Sequence, residues 1–168
     1  QTIQKDLESH CELHGLAFVG GEQLADTHSV MDHAQPHGTS DQLHKIVASG
    51  RARGVFNGKI FVRPGAQKTA AEQLSRSLLL SRRALVDTKP QLEIFADDVR
   101  CTHGATIGQM EGDELFYLQS RGLGLAQARQ ALTLAFAGEV LAKIPVPSLR
   151  EALRHQLVER LTAMGEEA

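Results

Sequence analysis

The chain has 168 residues and a mass of 18.3 kDa, with 42% hydrophobic and 23% charged residues, enough to bury one core or one core with an appendage. A formal charge of −2 and a pI near 6.5 leave no basic face for holding a polyanion by counterion release, so nucleic acid is not an expected partner. Apolar runs such as Leu78-Leu79-Leu80 fall far short of the roughly 20 residues that a membrane span requires, so no membrane partner is expected either.

The chain opens at Gln1 without an initiator Met and without the pattern of a signal peptide, so a fragment of a longer protein is expected. Cys11 and Cys101 are too few and too far apart for a disulfide framework. Reduced thiols and a cytoplasmic location follow as expectations.

Residues 1 to about 108 lack helical periodicity and consist of short alternating runs. Leu13, Leu16 and Phe18 lead into a Gly20-Gly21 turn, and Lys45-Ile46-Val47-Ala48-Ser49 ends at Gly50. Gly54 to Arg63 reads as a strand, an Asn57-Gly58 turn and a second strand. Ser77 to Leu80, Ala84 to Asp87, Gln91 to Phe95 and Val99 to Thr106 add strands of similar size, separated by polar or Pro-containing corners. Such spacing fits a sandwich, a barrel or a stacked coil of strands. A weak repeat of roughly 20 residues would favour a solenoid, although no crisp repeat stands out.

From Asp113 the pattern turns helical. Asp113 to Ser120 stops at Gly122, and a second helix starts near Leu125. In it Ala128, Leu132, Phe136, Val140 and Ile144 fall four apart, with Leu125 and Ala135 widening the stripe. Pro145 and Pro147 break the run, and Ser148 with Glu151 has capping-box spacing for a third helix carrying Leu149, Leu153, Leu157 and Leu161. The tail from Gly165 is expected to fray. Three helices are few for an independent core, so part of their apolar surface should rest on the β region or on another chain.

The segment Asp87-Thr88-Lys89-Pro90-Gln91-Leu92-Glu93-Ile94-Phe95-Ala96-Asp97-Asp98-Val99-Arg100-Cys101-Thr102-His103-Gly104-Ala105-Thr106-Ile107-Gly108, followed by Leu115-Phe116-Tyr117-Leu118-Gln119-Ser120-Arg121-Gly122, resembles the SufD branch of the SufB/SufD iron–sulfur cluster assembly family. Asp26-Thr27-His28, Gln42-Leu43-His44-Lys45, Val55 to Ile60 and Gln67-Lys68-Thr69 match in the same order, so the resemblance covers roughly residues 20 to 141. SufB proteins typically carry acidic residues around the histidine, where this chain has Thr102-His103-Gly104, and they lack the Asp-Thr-Lys-Pro lead-in. Thr102 stands where Ser is common.

The resemblance implies a mainly β protein with α: a right-handed parallel β-helix, or β-solenoid, over residues 1–110, followed by a small C-terminal helical domain over 111–168. It implies a non-catalytic scaffold subunit that pairs with SufB through a β-helix edge and docks the SufC ATPase through the helical end. Leu115, Phe116, Tyr117, Arg121, Phe136 and Glu139 fall in that docking region. A nascent iron–sulfur cluster would be held transiently in the complex, with no cofactor in the isolated fragment, which would itself be able to homodimerise.

Cys101 and His103 are two positions apart, so on a strand both face one way. A thiolate and an imidazole suit iron or iron–sulfur ligation, and two ligands leave a cluster incompletely held. The pair is therefore expected to face outward, at a surface where another subunit completes the set. The resemblance adds that the residue matching His103 lies at the SufB interface, which makes His103 the candidate metal ligand. The alternative for the same residues is a small buried thiol and a hydrogen-bonded turn histidine.

The remaining histidines, His28, His33, His37 and His44, with Cys11, His10 and His14 upstream, match no standard zinc spacing and read as polar ends of strands and turns. Asp97-Asp98 raises a second class of function, a β-helical carbohydrate-active enzyme. Neighbours on a strand face opposite ways, however, and a corner is the expected use. The absence of Trp and a single Tyr leave few sugar-stacking platforms. Arg63, Gly65 and Lys68 do not form a phosphate loop, so any ATP belongs to a partner.

Overall fold

The structure, a computed structural model, describes residues 1–110 and 112–166. Eight strands come first: β1 (Thr2–Gln4), β2 (His10–Val19), β3 (Leu24–His33), β4 (Thr39–Ala48), β5 (Arg53–Val62), β6 (Ala70–Leu79), β7 (Leu85–Ile94) and β8 (Arg100–Gln109). Three helices follow, α1 (Gly112–Ser120), α2 (Leu125–Ala142) and α3 (Pro147–Glu166). The boundary expected at 110/111 falls between β8 and α1; residue 111 lies outside the described residues, as do residues 167–168 of the tail, while α3 stays helical through Glu166.

All strand pairs are parallel and join only alternate strands, giving one sheet in the order β1-β3-β5-β7 and a second in the order β2-β4-β6-β8. The chain therefore coils through two sheets in about four turns, the β-solenoid that the resemblance implies. One turn is longer than the weak repeat sought in the sequence: His10 pairs with Thr39, Thr39 with Ala70 and Ala70 with Arg100. Corners repeat with the strands. Glu8, His37 and Lys68 take positive φ at matching corners (56°, 61° and 61°), and each donates its backbone N–H to a carbonyl in the next turn. At the opposite corner Gly50 (φ 63°) stacks so closely on Gly21 that a Cβ would lie 2.9 Å from the Gly21 carbonyl oxygen.

Two expected breaks are absent. Asn57-Gly58 is no hairpin, because β5 runs unbroken through it between two parallel neighbours. Gly58 faces the interior, where a Cβ would stand 2.4 Å from Nε2 of Gln73 and 2.5 Å from Cζ of Phe56, so glycine is required there by crowding. Pro90 likewise lies inside β7, opposite Gly58. It is tolerated because β7 is the last strand of its sheet among the described residues, and edge strands accept a residue without an N–H.

The coil interior has three zones. Met31, Ile60, Val62, Ala66, Ala71 and Ala96 form one apolar cluster, and Val19, Ala48, Ala52 and Ala84 another at the opposite corner. Fully burying a side chain such as Ile60 contributes about 1.5–3 kcal/mol. Between them lies a polar layer, in which His44 stacks on Phe56 at 4.1 Å, Ser29 and Gln73 donate to Oε1 of Gln42, and Thr88 donates to Ser75.

The helices return over the outer face of the second sheet, as the scarcity of helical core predicts. Leu16 and Phe18 of β2 pack against Ala137 and Leu141 of α2 and Leu157 and Leu161 of α3. α1 ends in a Schellman arrangement: Leu123 N–H donates to the Leu118 carbonyl and Gly122 N–H to that of Gln119, with Gly122 at φ 94°. The buried face of α2 is Ala128, Thr133, Ala137, Val140 and Leu141, rotated from the expected stripe because both the sheet and α3 cover it; Leu125 and Ala135 are exposed. α3 begins at Pro147, where a missing N–H costs nothing, so Ser148 lies inside the first turn and is not the cap.

Candidate functional site

The last turn of the coil is open. β7 and β8 each have a strand neighbour on one side only among the described residues. Because β8 lies in register on β6, its Cys101, His103, Ala105 and Ile107 continue the inward-facing columns of Ala71, Gln73, Ser75 and Ser77, all four of them buried. Cys101 and His103 thus share a face, as their spacing predicts. That face is the inner wall of the coil, reached through its open end, and not the outward surface expected for the pair. The two environments differ. Cys101 is partly buried against the Met31–Ile60 cluster, and this desolvation pushes its thiol pKa up despite an opposing hydrogen bond from the Ala71 backbone. His103 is exposed. The same last turn also exposes apolar side chains, Ile94 at 38%, Ile107 at 46% and Phe95 at 59%, the Phe95 ring tilted against Phe61 at 5.4 Å.

The other histidines do not converge. His33 is buried and shares a 2.9 Å hydrogen bond with Ser40. His44 is buried with its pKa lowered to about 4, desolvation being the main cause. His28 stands exposed beside Asp26 at 2.9 Å, and His37 occupies a corner. His10 and His14 flank Glu12 on the outer face of β2, holding its carboxyl below the usual range. Cys11 faces the interior, its thiol pKa also raised by desolvation. Among the described residues no three such side chains are grouped to hold a metal ion. Asp97 and Asp98 form a corner as expected, the first accepting from Gln67 at 2.8 Å and the second paired with Lys68.

The helical candidates divide. Phe116 and Tyr117 of α1 are 73% and 58% exposed, with Arg121 over the Tyr117 ring at 5.4 Å and Leu115 half-buried. α1 itself has no buried residue. Phe136 and Glu139 instead hold the helices to the coil through Lys45. Its ammonium, 2% exposed, donates to the Phe136 carbonyl at 2.7 Å and to the Glu139 carboxylate, and lies 4.2 Å from the Phe136 ring centroid. Sequence reasoning does not single out Lys45, although a lone lysine leading Ile46-Val47-Ala48 signals that one buried strand carries a charge needing a partner. No helix among the described residues is long and apolar enough to cross a membrane.

Chemically, the open end offers one thiol, protonated until a metal or a base displaces its proton, and one free imidazole. Both are suitable iron ligands, and neither is backed by others from this chain among the described residues.

Residues 1–136 match the family described as SUF system FeS cluster assembly, SufBD core domain. The chain is 48% identical over 154 residues to an iron–sulfur cluster assembly SufBD family protein of Synechocystis, covering 92% of this chain and 34% of that protein. It is 49% identical over 149 residues to the chloroplastic protein ABCI7 of Arabidopsis thaliana, covering 87% and 31%. Against the iron–sulfur cluster assembly protein SufD of Escherichia coli it is 39% identical over 153 residues, covering 91% and 36%. The chain therefore spans about a third of the length of these relatives.

Proposed function

The chain belongs to the SufBD family of the SUF iron–sulfur cluster assembly system, and on that premise we propose that it is the C-terminal part of a SufD-type scaffold, with no turnover of its own, acting in the cytoplasm. The open rung pairs with SufB, the helical end docks the SufC ATPase, and Cys101 and His103 contribute to a nascent cluster that is cargo of the complex.

One observation carries this reading: a thiol and an imidazole stand on the same face of β8, at a ten-residue strand edge left unpaired among the described residues. An exposed edge of that length is a template for another chain. Ligands from that chain would complete a set that this one leaves short, and exposed Ile94, Phe95 and Ile107 supply apolar area for the joint. α1, with Phe116 and Tyr117 bare, supports the second docking role. Lys45 joins that helical end to the strand β4 of the coil, so movements of a docked ATPase reach the coil through the ion pair of this buried ammonium with Glu139.

The reading is tested by mixing the chain with SufB and SufC and following complexes by size-exclusion chromatography with light scattering. Ile107→Glu and Phe95→Glu should weaken SufB pairing tenfold or more, while Phe116→Ala with Tyr117→Ala should weaken only SufC binding. SufB pairing untouched by both edge variants would remove the edge from the account.

A further inference from the structure

The coil contains a short ladder of amides aimed at His103. Leu13, Gln42, Gln73 and His103 occupy one inward column of the second sheet, one residue per turn. Gln42 and Gln73 are 1% and 0% exposed. Gln73 donates from Nε2 to Oε1 of Gln42 over 3.3 Å, and the same oxygen faces the Ser29 hydroxyl at 3.5 Å. Stacked amides in register run with each N–H toward one neighbour and each carbonyl toward the other. Both ends of this ladder are therefore open: Nε2 of Gln42 toward Leu13, and Oε1 of Gln73 toward the last turn, each buried without a partner among the described residues.

Gln73 is not free to turn away. Its Nε2 lies against the bare Cα of Gly58, wedged there with the Phe56 ring, which is itself stacked on His44. A buried carbonyl without a donor is costly, so the groups able to satisfy it matter. The inward side chains of β7 are Val86, Thr88, Pro90, Leu92 and Ile94, and Thr88 already gives its hydroxyl to Ser75 at 2.9 Å. On β8, Ala105 and Ile107 have no donor, and Cys101 is a weak one packed into the neighbouring apolar cluster. His103 is next in the column, one strand spacing of about 4.8 Å away, and its exposed ring is free to rotate.

We propose that Gln73 is a positioning residue for His103, its Oε1 accepting a ring N–H and drawing the imidazole inward over the open end. The nitrogen that donates keeps the proton, and the other is left with its lone pair aimed at the space shared with Cys101. This is the arrangement a metal-binding imidazole needs, since the hydrogen bond at one nitrogen sets the tautomer and orientation of the other. The value of the arrangement rests on the cluster-contact role proposed for His103, but the hydrogen bond itself does not.

The test reads the ring nitrogens of His103 by ¹⁵N NMR at pH 8, with the exposed corner residue His37 as internal reference. In the wild-type chain His103 should be held in one tautomer. Gln73→Leu should release it to the mixture shown by His37 with the β-sheet circular dichroism unchanged, and Gln73→Glu, which keeps an acceptor, should restore it. In the reconstituted complex Gln73→Leu should also slow cluster formation about tenfold or more. A wild-type His103 that already shows the His37 mixture, or one tautomer persisting in Gln73→Leu, overturns the inference; the first result needs no variant to fold. Clusters that form normally in His103→Ala would remove the assembly role and leave the tautomer result standing, so the two failures are distinguishable.

Discussion

Cys101 and His103 stand two residues apart on one face of β8, yet the thiol rests against the Met31–Ile60 cluster while the imidazole meets solvent. Burial raises the thiol pKa, so at neutral pH less of it is thiolate than in an unfolded chain. Alkylation of Cys101 by iodoacetamide at pH 7.5 should therefore be several-fold slower in the folded protein than in urea. Cys11, raised by the same cause, should behave alike. Faster labelling of the folded chain would contradict the placement of the thiol.

Gly58 is the most crowded glycine of the described residues, with a Cβ there 2.4 Å from Nε2 of Gln73. A methyl group there collides with Phe56 and with Gln73, both fully buried. Gly58→Ala should destabilise the coil by about 2 kcal/mol, the usual cost of overpacking a filled core. The urea midpoint should fall with the slope of the transition unchanged; an unaltered midpoint would mean that the interior has room the structure does not show.

Lys45→Ala removes the cation that joins β4 to α2 and leaves Glu139, half exposed, without its main partner. The loss should be about 2 kcal/mol, since the remaining carboxylate can hydrate. It should fall on the helices. Amide exchange in α2 and α3 should accelerate while that in β3 to β6 stays protected, and uniform acceleration would show that coil and helices unfold as one unit.

His44 gives the fold a pH dependence. Its folded pKa of about 4 lies below the ordinary 6.5, so between those values the unfolded chain binds a proton that the folded chain refuses. Stability is therefore greatest above pH 6.5 and declines as the pH falls toward 4. At pH 5 this one residue should cost about 2 kcal/mol relative to pH 7.5, and buried His33, shifted the same way, adds to it. Urea titrations at the two pH values should show a smaller difference in His44→Leu than in wild type; an equal difference would assign the effect elsewhere.

The strands and helices were legible wherever a pattern depends on near neighbours. Leu13 to Phe18 before two glycines, and Asp113 to Ser120 before Gly122, mark elements that the structure contains. What escaped depends on partners a full turn away. Asn57-Gly58 has the chemistry of a hairpin turn, and only the crowding by Gln73 and Phe56 explains why a glycine sits in a straight strand. The repeat is equally hidden, because rungs share backbone shape and inward polarity rather than residue identity: Gln42, Gln73 and His103 recur one turn apart in unlike local sequence. Cys101 and His103 were recognised as a same-face pair from spacing, but which face they share follows from their register on Ala71 and Gln73.

The most direct measurement is the rate and yield of iron–sulfur cluster formation on the complex reconstituted with SufB and SufC, comparing wild type with Cys101→Ser and His103→Ala after each is shown to assemble normally. The account predicts that His103→Ala forms clusters at a tenth of the wild-type rate or less, with Cys101→Ser also impaired. Full cluster formation in both variants would contradict it.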